Sequence, residues 1–274
     1  MFKNKKTLSV LLIWIALQIL CSFPASLIML PIGKLAGLEQ GEINSLIILI
    51  ALLLSQILEL VIFKVLGYFH FKDIVHPIPD LFTLTASVIA GFSLFYAIDL
   101  VQTQFDIPDM LEQDMDKLTA SFWGFLAICI IGPIAEEVMM RRIILRDLWR
   151  RTGKMWSGIL LSALIFAAIH INPAQVVFAF PAGVILGWLY CISGTLVVPI
   201  IIHILNNTVS FISIRMGSSE PDLNDPIQIA VLLGCIAIST LFILLIISGK
   251  RKKGEPLYAD LSDKPESEPT IKEQ

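Results

Sequence analysis

The stretch AEEVMMR, residues 135–141, decides how the rest of the chain is read. Its adjacent carboxylates, Glu136 and Glu137, lie near the end of a long apolar run that extends from Phe122 to Met140. A charged group within hydrocarbon costs at least roughly 2.5–3.5 kcal/mol, so such groups usually face a protein interior or a water-filled cavity. The stretch therefore predicts a polar site inside an apolar helix.

The composition around this stretch is that of an integral membrane protein. The 274 residues are 56% hydrophobic and only 16% charged, with a mean hydropathy of +0.80. Soluble domains carry about 25% charged residues. The lipid bilayer is thus the expected partner, and nucleic acid is not. The net charge of −3 says little, because positive and negative residues are segregated along the chain. The four cysteines have neither metal-type nor disulfide-type spacing, which is typical of small core residues.

The apolar runs predict an all-α polytopic bundle of about eight transmembrane helices, because one span needs roughly 20 apolar residues. The first run follows three lysines, as in a signal peptide. It is long, however, and no clear small-x-small cleavage site ends it, so we expect a retained span. The predicted spans are 8–30, 43–66, 81–100, 121–145, 156–171, 174–191, 195–215 and 227–248.

The basic residues predict the orientation of the bundle. They cluster at the N-terminus, around the connections after the second and fourth spans, and after the last span. All of them fall in the cytoplasm if about eight spans alternate from a cytoplasmic start, so both termini are predicted to be cytoplasmic. These residues are Lys3, Lys5, Lys6, Lys64, Lys72, Arg141, Arg142, Arg146, Arg150, Arg151, Lys154, Lys250, Arg251, Lys252 and Lys253.

The spacing within AEEVMMR predicts different environments for its two carboxylates. Glu137 and Arg141 are four residues apart, the favoured arrangement for an ion pair on one helix face. Glu136 points to another side of the helix. Arg141 can therefore neutralise one carboxylate and leave the other for chemistry. The alternative is that both glutamates merely pair with Arg141 and Arg142 at the membrane surface.

Two later pairs of residues, each with at least one polar side chain, lie in apolar runs of their own. Phe166 and His170 share one helix face, and so do His203 and Asn207. Taken singly, each pair is explained by packing or by a hydrogen bond within its helix. Three polar sets in three separate spans, with few other buried polar groups, instead predict one shared site. The exceptions are Gln56 and Glu59 in the second span, which we interpret as helix-packing residues.

With these motifs in this order, the chain resembles the CAAX protease and bacteriocin-processing family of intramembrane endopeptidases. This family is also called CPBP or Abi, and it is related to the type II CAAX prenyl proteases. The resemblance extends over roughly 120–215 and consists of Glu136-Glu137-xxx-Arg141, Phe166-xxx-His170 and His203-xxx-Asn207. Met140 and Arg142 depart from it, since many members have an aromatic residue and a glycine there.

The resemblance implies a hydrolytic site for a membrane-associated or small peptide substrate. Glu136 would activate a water, and Arg141 would hold the acidic pair formed with Glu137. His170 would orient that water, whereas His203 and Asn207 would stabilise the oxyanion, a contribution of roughly 3–4 kcal/mol per good donor. The resemblance also implies a bacterial cytoplasmic membrane.

The cofactor question stays open between two mechanisms. The family is commonly labelled as metalloproteases, and a catalytic zinc takes about three protein ligands. Here His170 and His203 would be two of them and a glutamate the third. The chain has no HExxH motif, and using Glu136 as a ligand would remove the base. A metal-free glutamate mechanism is therefore favoured, with zinc as the alternative.

The same motifs divide the chain into four segments. Residues 1–120 hold the N-terminal transmembrane helices and an amphipathic connection, and 121–215 form the catalytic core. Residues 216–250 form the last transmembrane helix, and 251–274 are expected to be a disordered cytoplasmic tail.

Two other functions remain as alternatives. One is a catalytically silent immunity or partner-binding membrane protein. The other is a proton-coupled transporter that uses Glu136, although no paired repeats or doubly broken helices are visible.

Overall fold

The computed structural model describes residues 6–110, 112–217, 221–259 and 261, and over these residues the chain is helical without any strand. The predicted all-α class is thus confirmed. The helices are α1 (Lys6–Leu35), α2 (Gln40–Val65), α3 (Lys72–Val75), α4 (Leu81–Gln102), α5 (Glu112–Thr119), α6 (Phe122–Thr152), α7 (Met155–Ala168), α8 (Pro173–Ser193), α9 (Val197–Met216) and α10 (Pro226–Lys253).

Within the described residues, seven helices are long and apolar enough to cross a membrane: α1, α2, α4, α6, α8, α9 and α10. The remaining predicted span, 156–171, which is the fifth in chain order, is a shorter apolar helix. It corresponds to α7, which has 14 residues and a length of about 21 Å. The chain leaves the helix after Ala168 and turns at Ile171, where φ is +61°.

Helix α6, which carries both glutamates, lies in the centre of the bundle. In an 18-residue apolar stretch of α6, 50% of the residues are buried, and the same share is buried in α8. In α10 only 11% of such a stretch is buried. The outer helices expose large apolar side chains such as Phe23, Leu27 and Leu233. These exposed side chains are suited to contact with lipid, and the chain is therefore an integral multi-pass membrane protein.

The GxxxG pair of α8 brings neighbouring helices close to it. A Cβ added at Gly183 would lie 3.1 Å from the Cα of Ala163, and one added at Gly187 would lie 3.2 Å from the Cδ1 of Leu145. Glycine therefore lets α7 and α6 pack directly against the α8 backbone.

The predicted basic connections meet at one end of the bundle. The backbone N–H and hydroxyl of Thr7 donate to Asp147 Oδ2 over 3.0 and 2.6 Å. Arg142 Nε lies 3.1 Å from Asp73 Oδ2, which joins the end of α6 to the connection after α2. This arrangement agrees with alternating spans. The assignment of that end to the cytoplasm stays a prediction.

The structure corrects the predicted start of the disordered tail at residue 251. Helix α10 continues to Lys253, and the backbone N–H of Ala259 donates to the carbonyl of Cys191 over 2.8 Å. The carbonyl of Leu261 accepts from Arg146 Nε over 2.9 Å, and Leu261 itself is buried. This segment packs because its apolar side chains reach the core beside α8. The remainder of the predicted tail, 260 and 262–274, lies outside the described residues.

Candidate active site

Helix α6 contains two stretches of π-helix that flank the glutamates. Leu126–Ile131 and Val138–Leu145 have the wider turn, and the six residues Gly132–Glu137 between them are α-helical. A π-turn shifts the backbone register within a helix and is frequent at functional sites. In α6 it changes which carbonyl groups and side chains face the neighbouring helices.

Glu137 and Arg141 form a fully buried ion pair, as their spacing predicts. Arg141 Nε lies 2.9 Å from Glu137 Oε2, and Arg141 Nη2 donates to Glu137 Oε1 over 3.3 Å. The contact from Arg141 Nε to Glu137 Oε2 is close but lacks hydrogen-bond geometry, so it is an ion pair and not a second hydrogen bond. The guanidinium carbon also lies 5.1 Å from the centroid of the Phe166 ring. The arginine charge is thus compensated inside the bundle.

His203 links the two glutamates from α9. Its Nδ1 lies 3.0 Å from Glu137 Oε1, and its Nε2 lies 3.7 Å from Glu136 Oε2. The side chain of Glu136 is 29% exposed, whereas that of Glu137 is 0% exposed. The hydrogen bond made by one imidazole nitrogen orients the other. Glu137 therefore anchors the imidazole, and Glu136 is the carboxylate that another molecule can reach.

Phe166 brings the two histidines to one place. Its ring centroid lies 4.8 Å from that of His170 and 6.0 Å from that of His203, with both pairs edge to face. His170 follows the end of α7, and its Nδ1 lies 2.7 Å from the carbonyl oxygen of Phe166. The next residue, Ile171, has a positive φ, which is rare for a β-branched side chain. An unusual turn therefore holds His170 beside the Phe166 ring.

Asn207 ties α9 to the first π-helical stretch. Its Nδ2 donates to the carbonyl of Ile128 over 2.9 Å, and its own backbone carbonyl lies 3.4 Å from Cys129 Sγ. An amide nitrogen carries two hydrogens, so one remains after this contact. The three predicted motifs thus converge around Glu137 and Phe166. The roles assigned to their residues stay predictions.

The two histidines and the glutamates beside them are the donor groups from which a zinc site would be built. Over the part of the chain that the structure describes, no group of three or more His, Cys, Asp or Glu side chains is arranged to hold a metal ion. The Nδ1 atoms of His170 and His203 both contact protein oxygens, and such a contact is the usual support of a histidine that binds zinc through Nε2. The tentative ligand role of these histidines and the metal-free mechanism both stay predictions.

Two residues interpreted as packing groups adjoin the site. A Cβ added at Gly132 would lie 2.9 Å from Gln56 Nε2, and Glu59 follows one turn later on α2, which packs against Gly132–Glu137. The sequence contained a signal for them: two polar residues three apart, on one face of an otherwise apolar span.

Comparison with known proteins agrees with the motifs. Residues 118–209 match the family described as type II CAAX prenyl endopeptidase Rce1-like. Over 94 residues the chain is 33% identical to the putative membrane peptidase YdiL of Bacillus subtilis (strain 168), a stretch that covers 34% of this chain and 38% of that protein. Over 85 residues it is 35% identical to the membrane-embedded CAAX protease MroQ of Staphylococcus aureus (strain USA300), covering 29% and 34%. The chain thus spans less than two fifths of these relatives, and no solved structure matches significantly.

The matched stretch contains every residue of the three motifs, from Glu136 to Asn207. It also coincides with the helices that converge on Glu137, which are α6, α7 and α9. The recognition made from the motifs is confirmed: residues 118–209 match the family described as type II CAAX prenyl endopeptidase Rce1-like.

Proposed function

We propose that this chain is a glutamate-dependent intramembrane endopeptidase of a bacterial cytoplasmic membrane. One observation carries the proposal. Glu137 is compensated by both Arg141 and His203, whereas the neighbouring Glu136 is partly exposed and faces the other nitrogen of His203. One carboxylate is thereby held in place, and the second is left to act on a substrate.

In the proposed reaction, Glu136 takes a proton from the water that attacks the scissile carbonyl. The new C–O bond forms a tetrahedral oxyanion. Its donors are the remaining N–H of Asn207 and the Nε2–H of His203, which carries a proton on both nitrogens in this step because its Nδ1–H is directed at Glu137. Each good donor contributes roughly 3–4 kcal/mol. Collapse of this intermediate breaks the C–N bond, and Glu136 returns its proton to the leaving amine.

The other motif residues position these groups. Arg141 and Glu137 hold His203 through the buried contact to Nδ1. Phe166 holds His170 through the edge-to-face contact of the two rings, and the imidazole would orient the attacking water. A displacement of about 1 Å in such a group can cost about a hundredfold in rate, so this support belongs to the mechanism.

The substrate is proposed to be a membrane-associated or small peptide. The relatives carry the names putative membrane peptidase and CAAX protease, and the site lies in helices whose outer faces are apolar. The alternative mechanism with zinc is tested separately. Activity that persists in a strong chelator, in protein that contains no zinc, supports the glutamate mechanism, and loss of activity restored by zinc contradicts it.

Substitution Glu136→Gln tests the function. It removes the base but retains the size and hydrogen bonding of the side chain, so we expect cleavage to fall by about a hundredfold or more. The measurement is quantitative N-terminal proteomics of membranes from cells that express the wild-type chain or the variant. New N-termini that require the wild-type chain are the signal.

The control is Glu42→Gln, the same change at the first turn of α2, where the carboxylate accepts the backbone N–H of Glu39. It is expected to cleave like the wild type. If cells with the wild-type chain and cells with Glu136→Gln give the same new N-termini in the same amounts, the proposal is contradicted. Proton-coupled uptake in vesicles that is lost in Glu136→Gln would instead support a transporter, and an unchanged binding activity would support an immunity protein.

A further inference from the structure

Two side chains of α2 lie outside the three motifs and are buried without adequate partners. Gln56 is 8% exposed and Glu59 is 3% exposed. Their Oε1 atoms accept no hydrogen bond from any group in the described residues. An unsatisfied polar group at membrane depth costs several kcal/mol, so this pair needs a hydrogen-bonding partner.

The packing of α2 against α6 brings the pair level with the glutamates. Leu49 of α2 clusters with Ala127, and Gln56 lies beside Gly132. The later residue of α2 is beside the later residue of α6, so the two helices run parallel. Glu59, one turn beyond Gln56, is therefore level with the residues that follow Gly132. The direct packing of α2 against the Gly132–Glu137 segment agrees with this position.

The close approach of α2 explains why glycine is at position 132. A Cβ there would lie 2.8 Å from the carbonyl oxygen of Ala127 and 2.9 Å from Gln56 Nε2. The missing side chain lets the amide of Gln56 lie against the α6 backbone, one helical turn before Glu136. The polar residues of α2 are thus on the side of α2 that packs against the segment with the proposed base.

We propose that Gln56 and Glu59 bind a buried water on the α2 side of Glu136 and that this water positions the Glu136 carboxylate. The inference rests on the proposed function, and both residues act as positioning residues. A buried water typically makes about three hydrogen bonds, and the carboxylates of Glu59 and Glu136 with the Gln56 amide supply that number of partners. The exposures of 8% and 3% place both side chains away from bulk solvent and from a peptide substrate.

Glu59→Leu and Glu59→Gln test the inference. Leucine removes both oxygens, so we expect the rate at which wild-type-dependent N-termini appear to fall by roughly ten- to a hundredfold. Glutamine retains hydrogen bonding and is expected to restore a rate close to wild type. The thermal unfolding temperature of Glu59→Leu in detergent should be unchanged or higher, because removing a buried unsatisfied group is neutral or stabilising. A merely structural residue would not lose activity while stability is retained.

The control is Gln228→Leu in α10, which also has an unpartnered amide oxygen but packs with α4 rather than α6. It should cleave like the wild type. A wild-type rate in Glu59→Leu overturns the inference and leaves the proposed function standing if Glu136→Gln is inactive. A wild-type rate in Glu136→Gln overturns the proposed function itself. If Glu59→Leu does not fold, Glu59→Asp, shorter by one methylene, should cleave slowly, and a wild-type rate there overturns the inference.

Discussion

Arg141 is among the largest side chains that are fully buried in this protein, and it carries a charge. Its partners are Glu137, four residues before it on the same helix, and the ring face of Phe166. Within such an apolar interior, two compensating charges cost less together than one charge left alone. The pair is therefore expected to behave as a unit when it is mutated.

Substitution Arg141→Met should lower the free energy of unfolding by about 3–5 kcal/mol, because the buried Glu137 carboxylate loses its guanidinium counterion. The double variant Glu137→Leu with Arg141→Met should recover most of this loss, and neither variant should cleave. Thermal unfolding in detergent gives the comparison. Arg251→Met, at the exposed end of α10, is the control and should change stability by less than about 0.5 kcal/mol. Equal stabilities of Arg141→Met and the wild type would contradict the prediction.

The local pair was predictable from the sequence, but the contacts between helices were not. Glu137 and Arg141 meet because they are one turn apart on one helix, which the spacing alone establishes. The contact of His203 Nδ1 with Glu137, and that of Asn207 with the Ile128 carbonyl, depend on how α9 packs on α6. Sequence spacing carries no information about that packing, so it could predict a shared site but not its geometry.

At the scale of a single element, α6 determines the site through its two π-helical stretches. Gly132 begins the α-helical segment between them, and a side chain there would contact both the Ala127 carbonyl and the Gln56 amide. The hydrophobic pattern does not predict such a turn. Apart from Glu136 and Glu137, the run from Phe122 to Met140 is apolar, and its pattern fits an ordinary helix.

Substitution Gly132→Ala should lower both stability and cleavage, because the added Cβ forces the first π-helical stretch or α2 to move. The comparison is Gly234→Ala in α10, where nothing lies within 4 Å of the added Cβ. That change should leave cleavage intact and raise stability by up to about 1 kcal/mol through helix propensity. Thermal unfolding and the N-terminal proteomics are the measurements. A Gly132→Ala variant that behaves like Gly234→Ala would refute the role of this close approach.

The positions of the spans were predicted better than their ends. Predicted spans such as 8–30 and 43–66 correspond to Lys6–Leu35 and Gln40–Val65. Hydrophobic runs identify the membrane-crossing part of a helix, but helices continue into the polar regions beyond it. The packed residues Tyr258 and Leu261 were missed because their surroundings in the sequence are polar.

At the scale of the whole molecule, the two ends of the bundle differ in charge. One end of the bundle carries Lys72, Arg142 and Lys154, whereas Asp106 and Asp222 lie in connections at the other end. The hydrogen bonds from Thr7 to Asp147 and from Arg146 to Leu261 bring the basic segments together, as alternating spans require. The acidic end includes a contact from the Thr103 hydroxyl to the Pro221 carbonyl.

Cysteine labelling should establish the orientation. Lys154→Cys, in the exposed connection between α6 and α7, is expected to react with an impermeant maleimide only after the cells are permeabilised. Asp222→Cys, in the exposed connection before α10, should react in intact cells. The wild-type chain, with three buried cysteines and one half-buried cysteine, measures the background. The reverse pattern would place the basic end outside.

The brevity of α7 has a consequence for the lipid around it. A typical hydrocarbon layer is about 30 Å thick, and a 14-residue helix covers about 21 Å of it. Such a mismatch is relieved by compressing the adjoining leaflets or by tilting the helix. Because His170 lies just past the end of α7, compression would bring the headgroups nearer to the imidazole. A scissile bond that approaches along α7 would then cross less acyl chain than at any full-length helix of the bundle.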